Sequence, residues 1–408
     1  MNSSTAWLAL QSLEGGIQLT TAHAADADRL AAELAALLDN WALKSAVQTL
    51  VVPLPALQKL DSDNPAPNTP TPSSSATPPV ALICNLRPDF RQRCMPGFDS
   101  LALHKRLGHG QHTDETWALE REIWVALLGS PHRFQFANLA SLNSHIRVRR
   151  NMALAARKTA LAFKTEAAER PQAFWQDGGD DAGFILQPGR CLVAALTAAT
   201  QPDASGKLYD FSCYRATEYV ILLGIAQELQ TQHPELLTQL QHLNEVHAVR
   251  SGQFHEVYLV EYGSMDSPVP SHFYVPGDRL WFRNPDERSA DVTGYEGSWV
   301  MYMGGGLFSN FWIRDAPFTL ESKAIEIFHW KDGVYTDAQG ELQMDETVVE
   351  RLVAQTQADP EARARVLERM LRMRDPKGVY AQGGCIDTTR EYPKSVSREH
   401  CDLVLPAF

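Results

Sequence analysis

The segment SGKLYDFSCYRATEYVILLGIAQEL (205–229) decides how this chain is read. A polar and aromatic approach runs into apolar residues at helical spacing, so a short strand or loop is expected to lead into a helix. Cys213 falls where that helix opens. Free backbone N–H groups and a partial positive charge gather at such a place, and both favour the thiolate, the form of cysteine that attacks. The other five cysteines lack this setting. Cys84, Cys94, Cys385 and Cys401 show no C-x-x-C spacing and are expected to be free thiols, and Cys191 falls inside an amphipathic helix predicted over 190–200. A cysteine at a helix start is also a common packing residue, so the residue pattern alone leaves both roles open.

Downstream of the helix the pattern turns to strands. FHEVYLVE (254–261), PGDRLWFRNPDE (276–287) and SWVMYMGGG (298–306) read as strands, the last ending in a glycine turn. FSNFWIRD (308–315) and AIEIFHWKDG (324–333) add two more, the second closing on an Asp-Gly hairpin signal. Residues 341–374 are helical and charged, broken near Pro360, and the tail from 376 is glycine-rich and irregular. A nucleophile at a helix opening followed by antiparallel strands is the order of an α+β, papain-like core, with the base borne on a strand.

Upstream, residues 25–47 are rich in alanine and leucine at helical spacing, with Asp26 or Asp28 as cap. DSDNPAPNTPTPSSSATPP (61–79) holds almost nothing that packs and reads as a tether. Thr113–Leu128 is predicted to be a helix with Asp114 and Glu115 at its positive end. Residues 145–168 form a long helix whose Arg147, Arg149, Arg150, Arg157, Lys158 and Lys164 share no single stripe. They read as a solvated face rather than a phosphate-binding strip. The expected organisation is a helical N-terminal appendage (1–60), the tether (61–79), a helical region (80–170), a papain-like core (171–335), and a helical C-terminal extension and tail (336–408).

Composition excludes several functions. Thirty-seven basic against 49 acidic residues give a net charge of −12, so no fold-wide basic footprint for nucleic acid exists. Hydrophobic residues at 44% and charged residues at 21% are those of a folded chain with a buried core. Six cysteines in 408 residues are too few for a disulfide scaffold. No apolar run reaches the roughly 18 residues of a membrane helix, and with the first basic residue at Arg29 the N-terminus does not read as a signal peptide. A cytoplasmic protein is expected, with signal-independent export left open. No phosphate-binding loop, zinc-protease motif or serine nucleophile elbow is present. His104, His109 and His112 cluster in HKRLGHGQH (104–112), where Gly108 and Gly110 suggest a mobile loop ill suited to the fixed geometry of a metal site, and His242 and His247 do not share a helix face. Trp281, Trp299 and Trp312 are expected to be core aromatics, or a wall of a substrate cleft.

A base or charge partner for Cys213 is sought in YEGSWVMYMG (295–304). Glu296 and Ser298 open this strand, and residues two apart in a strand face the same side, so the two are expected to point together. Glu296 is the carboxylate of an otherwise apolar or small stretch. Asn310 or His329 is available to orient a partner.

Four blocks resemble the bacterial spore-coat type of protein-glutamine gamma-glutamyltransferase (transglutaminase). RVRRNMALAARKTAL (147–161) is similar to that family's N-terminal helix, and GKLYDFSCYRAT (206–217) to the block bearing its nucleophilic cysteine. VPGDRLWFRNPD (275–286) is similar to its most specific motif. YEGSWVMYMGGGLF (295–308) is similar to the strand that follows, with Gly297 and Gly304 at matching places. The resemblance spans about residues 136–315. It implies a papain-like fold related to NlpC/P60 amidases. It further implies acyl transfer from a glutamine carboxamide to a lysine amine through a cysteine thioester, on protein substrates, with neither metal nor organic cofactor. Cys213 would be the nucleophile. Three motif positions depart: Ser212 stands where the family has an acidic residue, Ser298 where it has its glutamate base, and Phe311 where it has a histidine. Tyr214 and Arg215 also intervene before Ala216-Thr217, and a gapless alignment puts Arg215 at the nucleophile's place. Two readings follow: an active enzyme with Cys213 and Glu296 as relocated base, or a catalytically silent binding protein of the same fold. A cysteine amidase or deamidase is the hydrolytic variant of the first.

Overall fold

The computed structural model describes residues 15–21, 23–54, 79–108, 114–163, 168–179, 183–249, 251–377 and 382–406. The tether expected at 61–79 lies outside them up to position 78, as do Thr113, His109, His112 and Lys164. The chain mixes helices with two four-stranded sheets.

The N-terminal region is where the sequence reading needs its first correction. A helix does occupy Ala24–Asp39, but strands Gly16–Thr21 and Val47–Pro53 flank it. They join Val80–Leu86 and Arg133–Phe136 in one sheet, in the order 47–53, 80–86, 16–21, 133–136. The first three strands pair antiparallel, and Gly16–Thr21 runs parallel to Arg133–Phe136. These short strands carry little signal of their own. Their apolar residues gain burial only by pairing with segments far along the chain, and Ile17 and Leu19 end fully buried with Leu82 and Phe134.

Residues expected as one long helix over 145–168 form a helix from Leu139 to Lys158, capped by Asn138, whose side chain accepts from Ser141 N–H. Its arginines do not form a solvated face. Arg147 pairs with Glu228, Arg149 with Asp278, and Arg150 and Arg157 with Glu120 and Glu115. Each guanidinium finds a carboxylate from another element, which no count along the helix reveals.

The second sheet runs Gly297–Met301, Arg279–Arg283, Arg390–Pro393, Leu259–Tyr262, antiparallel throughout. Three of its strands overlap segments expected to be strands. Arg390–Pro393 corrects the reading of an irregular tail. REYP has no strand alternation, and its two buried charges find partners away from the strand: Glu391 pairs with Arg279, and Arg390 donates to the Asp387 and Thr389 carbonyls. FHEVYLVE is likewise not all strand: a helix covers Ser251–Tyr258, and only Leu259–Tyr262 is extended. The strand expected over 308–315 is absent; Phe308 alone makes bridges, to Tyr302 and Phe318.

The largest misreading is AIEIFHWKDG, which is helix, not strand. β-Branched and aromatic residues gave it a strand's composition. The start is set by a reciprocal cap: Thr319 Oγ1 accepts from Ser322 N–H at 3.1 Å, and Ser322 Oγ accepts from Thr319 N–H at 2.9 Å. The helix Leu320–Gly333 then packs on Glu346–Ala358 and Pro360–Met370, so that Leu320, Ala324, Ile325, Ile327 and Trp330 are all buried. The break at Pro360 lies where expected, with Asp359 capping the last helix. Among the described residues no helix is long and apolar enough to cross a membrane.

Candidate active site

Two of the sequence blocks meet away from any opening and build the frame of the site. Gly277 has φ +88° and lies so close to the arginine helix that a Cβ would stand 2.8 Å from Arg149 Cα. That approach sets Asp278 against Arg149 at 2.8 Å, both wholly buried. Asp278 also accepts from Tyr262 Oη at 2.7 Å and from Val275 N–H at 2.8 Å. Arg149 donates to His145 Nε2 at 2.6 Å. Burial first, and then the Arg149 charge, hold the His145 imidazole well below its ordinary range, so it stays neutral and accepts. At the other end of the strand Arg279–Arg283, Asn284 Nδ2 donates to Ser289 Oγ and to Tyr295 O, while its Oδ1 accepts from Asp286 N–H. The Asn-Pro-Asp motif is therefore a turn builder, delivering the chain to Gly297.

Gly297 opens the neighbouring strand, where a Cβ would meet Trp281 Nε1 at 2.1 Å and Phe282 O at 2.5 Å. With no side chain there, Trp299 pairs with Trp281 and their rings stack, centroids 6.1 Å apart. The Tyr214 ring meets Trp299 edge-on at 5.2 Å. Arg279, anchored by Glu391, lies 5.0 Å from the Tyr214 ring and 4.7 Å from that of Trp299. This stack joins the opening of the cysteine helix to the strand.

Cys213 is the first residue of the helix Cys213–Gln232. Ser212 caps it, its Oγ accepting from Arg215 N–H at 3.3 Å. The position where the resemblance calls for an acid thus serves as an N-cap, which serine fills well. The cysteine lines a cavity of about 480 Å³ together with Ser298, Asn310, Trp312, Lys323, Glu326 and others. Burial pushes the thiol up from its ordinary value. The Trp299 N–H, the Lys323 charge and the Tyr214 N–H pull it down, and the Glu296 carboxylate adds weakly to the rise. The helix opening therefore does not by itself leave the resting sulfur ionised: desolvation is the larger effect.

The other candidate residues are distributed differently. Glu296 is exposed and precedes the strand Gly297–Met301, so strand alternation does not pair it with Ser298. It stands between Tyr295 and Gly297, which line the cavity, without lining it itself. Asn310 lines the cavity, but its amide is committed to its own turn: Nδ2 donates to Ala316 O, and Oδ1 accepts from Trp312 and Ile313 N–H. Phe311 is buried in the core beside Leu161. His329 is held between Asp332 and Thr356, both at 2.8 Å, and does not line the cavity. Arg215 pairs with Glu218 at 2.6 Å and donates to Val249 O, so it belongs to the frame. Among the described residues, no group of three or more potential ligands is placed to hold a metal ion.

The sequence reading missed Lys323 and Glu326, which face the cavity from the helix read as a strand. Lys323 is 3% exposed, pairs with Glu326 at 3.0 Å, and lies over the Phe318 ring at 4.1 Å. Two opposite charges three apart inside an apolar run were the available signal. Also missed was Glu122, fully buried behind the glycine turn 304–306, where it accepts from Gly305 N–H at 3.0 Å and Tyr302 Oη at 3.2 Å.

No curated protein matches the chain. Among solved structures it is similar to a transglutaminase from Geobacillus stearothermophilus (without C-terminal extension), at 19% identity and a TM-score of 0.37, over 53% of this chain and 97% of that one. The family model for protein-glutamine gamma-glutamyltransferase matches residues 103–381, well over half of the chain and inclusive of Arg149, Cys213, Asp278 and Lys323. The chain belongs to the protein-glutamine gamma-glutamyltransferase family.

Proposed function

We propose that this protein transfers the acyl group of a protein-bound glutamine to a lysine amine, with Cys213 as nucleophile in a papain-like core related to the NlpC/P60 amidases. The observation that carries the reading is the setting of Cys213. It opens a helix at the wall of a cavity, where the backbone amides of Trp299 and Tyr214 favour its charged form against the burial that opposes it. The sulfur attacks the carboxamide carbon, the C–N bond breaks, and ammonia leaves with the proton that the thiol gave up. A lysine amine then attacks the thioester, displaces the sulfur and leaves an isopeptide bond. Glu296, exposed beside the cavity-lining Tyr295 and Gly297, is the proposed proton acceptor between site and solvent. Protein substrates bearing glutamine and lysine are what the family implies. A reducing cytoplasm is the compartment that keeps such a thiol free.

The test is incorporation of a fluorescent primary amine into a glutamine-bearing protein, with ammonia measured in parallel. Wild type is expected to do both and Cys213→Ala neither. Ammonia without incorporated amine identifies a deamidase. Neither product from wild type leaves the silent binding protein as the reading.

A further inference from the structure

We propose that Lys323, fixed by Glu326, is a positioning residue for Cys213, supplying from the helix Leu320–Gly333 the charge that holds the attacking thiolate. The inference deepens the proposed function and rests on Cys213 being its nucleophile.

The argument begins with what surrounds the sulfur. On its own helix, Arg215 and Glu218 are bound to each other. On the strand Arg279–Arg283, the Arg279 guanidinium is bound to Glu391. Beside the strand Gly297–Met301, Glu296 is an anion and disfavours a thiolate. The helix Glu346–Ala358 contributes Glu346, which accepts from Tyr295 Oη at 2.6 Å, and Glu350. Among the described residues that line the cavity with Cys213, Lys323 is the one cation.

Its burial is informative. An ammonium removed from water is costly unless it is paired. Lys323 is paired by Glu326 and also faces two rings, Phe318 at 4.1 Å and Trp330 at 5.5 Å. The side chain is thus held at the cavity wall instead of sweeping through solvent. Its charge acts against the desolvation that pushes the Cys213 thiol up. Ser298, at the place of the motif glutamate, cannot bear charge. An ammonium across the cavity meets the requirement differently, by lowering the energy of the thiolate instead of taking its proton.

The test is the pH dependence of Cys213 alkylation by iodoacetamide in the full chain, read by mass spectrometry on the peptide that contains Cys213. Lys323→Met is expected to raise the apparent pKa of alkylation by about 1 unit and slow labelling at neutral pH about tenfold, the low end for an opposite charge nearby. Lys323→Arg is expected to restore the profile. Glu326→Gln, which removes the partner that fixes and charges the buried ammonium, is expected to move the profile upward, toward that of the Met variant. If the Met variant superimposes on wild type, or the Arg variant behaves as the Met variant, the inference is overturned. Should the Met variant fail to fold, the sign of the Glu326→Gln shift decides, and a downward or absent shift overturns it. Alkylation needs no turnover, so the two readings fail separately. A Lys323 effect without amine incorporation leaves this inference standing and removes the transferase. Incorporation without a Lys323 effect does the reverse.

Discussion

Charged groups lie on both sides of the strand Arg279–Arg283, and the two clusters are built on opposite principles. Before the strand, Arg149 and Asp278 are sealed from water, with His145 accepting from Arg149 and with Tyr262 Oη and the Val275 N–H donating to Asp278. Beyond it, Cys213, Lys323 and Glu326 line an open cavity. The sealed cluster uses the residues expected of its sequence blocks. Around the open one, Ser212 caps the cysteine helix, Ser298 lines the cavity and Phe311 is packed in the core, where the resemblance calls for acid, base and histidine. The frame of a fold and the chemistry of its site can therefore diverge in one chain. A buried pair tolerates no partial loss, whereas a site wall can draw its charge from another element.

The contrast can be broken most directly at Asp278. Asp278→Asn leaves the Arg149 guanidinium buried without its counter-charge and is expected to cost about 3–5 kcal/mol. Urea unfolding measures it, and a loss below about 1 kcal/mol would mean that water reaches the pair. The same variant is expected to reduce amine incorporation only as far as it reduces the folded fraction.

A second sharpening comes from Glu122, whose carboxyl burial raises from 4.5 to about 7, against the pull of the Gly305 N–H and Tyr302 Oη. The folded state binds the proton more tightly than the unfolded chain. The stabilisation is therefore fully present below the unfolded value and is lost as pH rises through about 7. Two and a half units correspond to roughly 3 kcal/mol as an upper bound. Glu122→Gln is expected to flatten the Tm profile between about pH 5 and 8, as a permanently neutral group has no such proton to lose. An unchanged slope would show that Glu122 titrates as an ordinary surface acid.

The smallest expected effect is at the opening of the cysteine helix. Ser212→Ala removes the cap and is expected to cost about 1 kcal/mol. Ser212→Asp keeps a capping oxygen, so stability should be held, while the added carboxylate slows Cys213 alkylation. Equal alkylation rates in the two variants would show that the sulfur is insulated from charge at its own helix terminus.

Much of the cysteine block was legible along the chain because its determinants are local. Helix periodicity after Cys213, the Asn-Pro-Asp turn and the glycine-bounded strand at 297 all declare themselves within a dozen residues. Gly297 could be recognised as a motif position, although its reason, the indole of Trp281, appears only across the strand pair. The helix at 320–333 was misread because β-branched and aromatic residues serve a helix buried on several faces as well as a strand, and only its packing on the two following helices distinguishes the two. With that helix went Lys323 and Glu326.

By itself the sequence determined the family, the order of its blocks and the residue that opens the central helix, since each is written in contiguous residues. Tertiary structure alone decided which charges meet. Arg149 lies 129 residues from Asp278, and Arg279 112 residues from Glu391. The worth of such pairs depends on water being excluded around them, and exclusion is a property of the packed molecule.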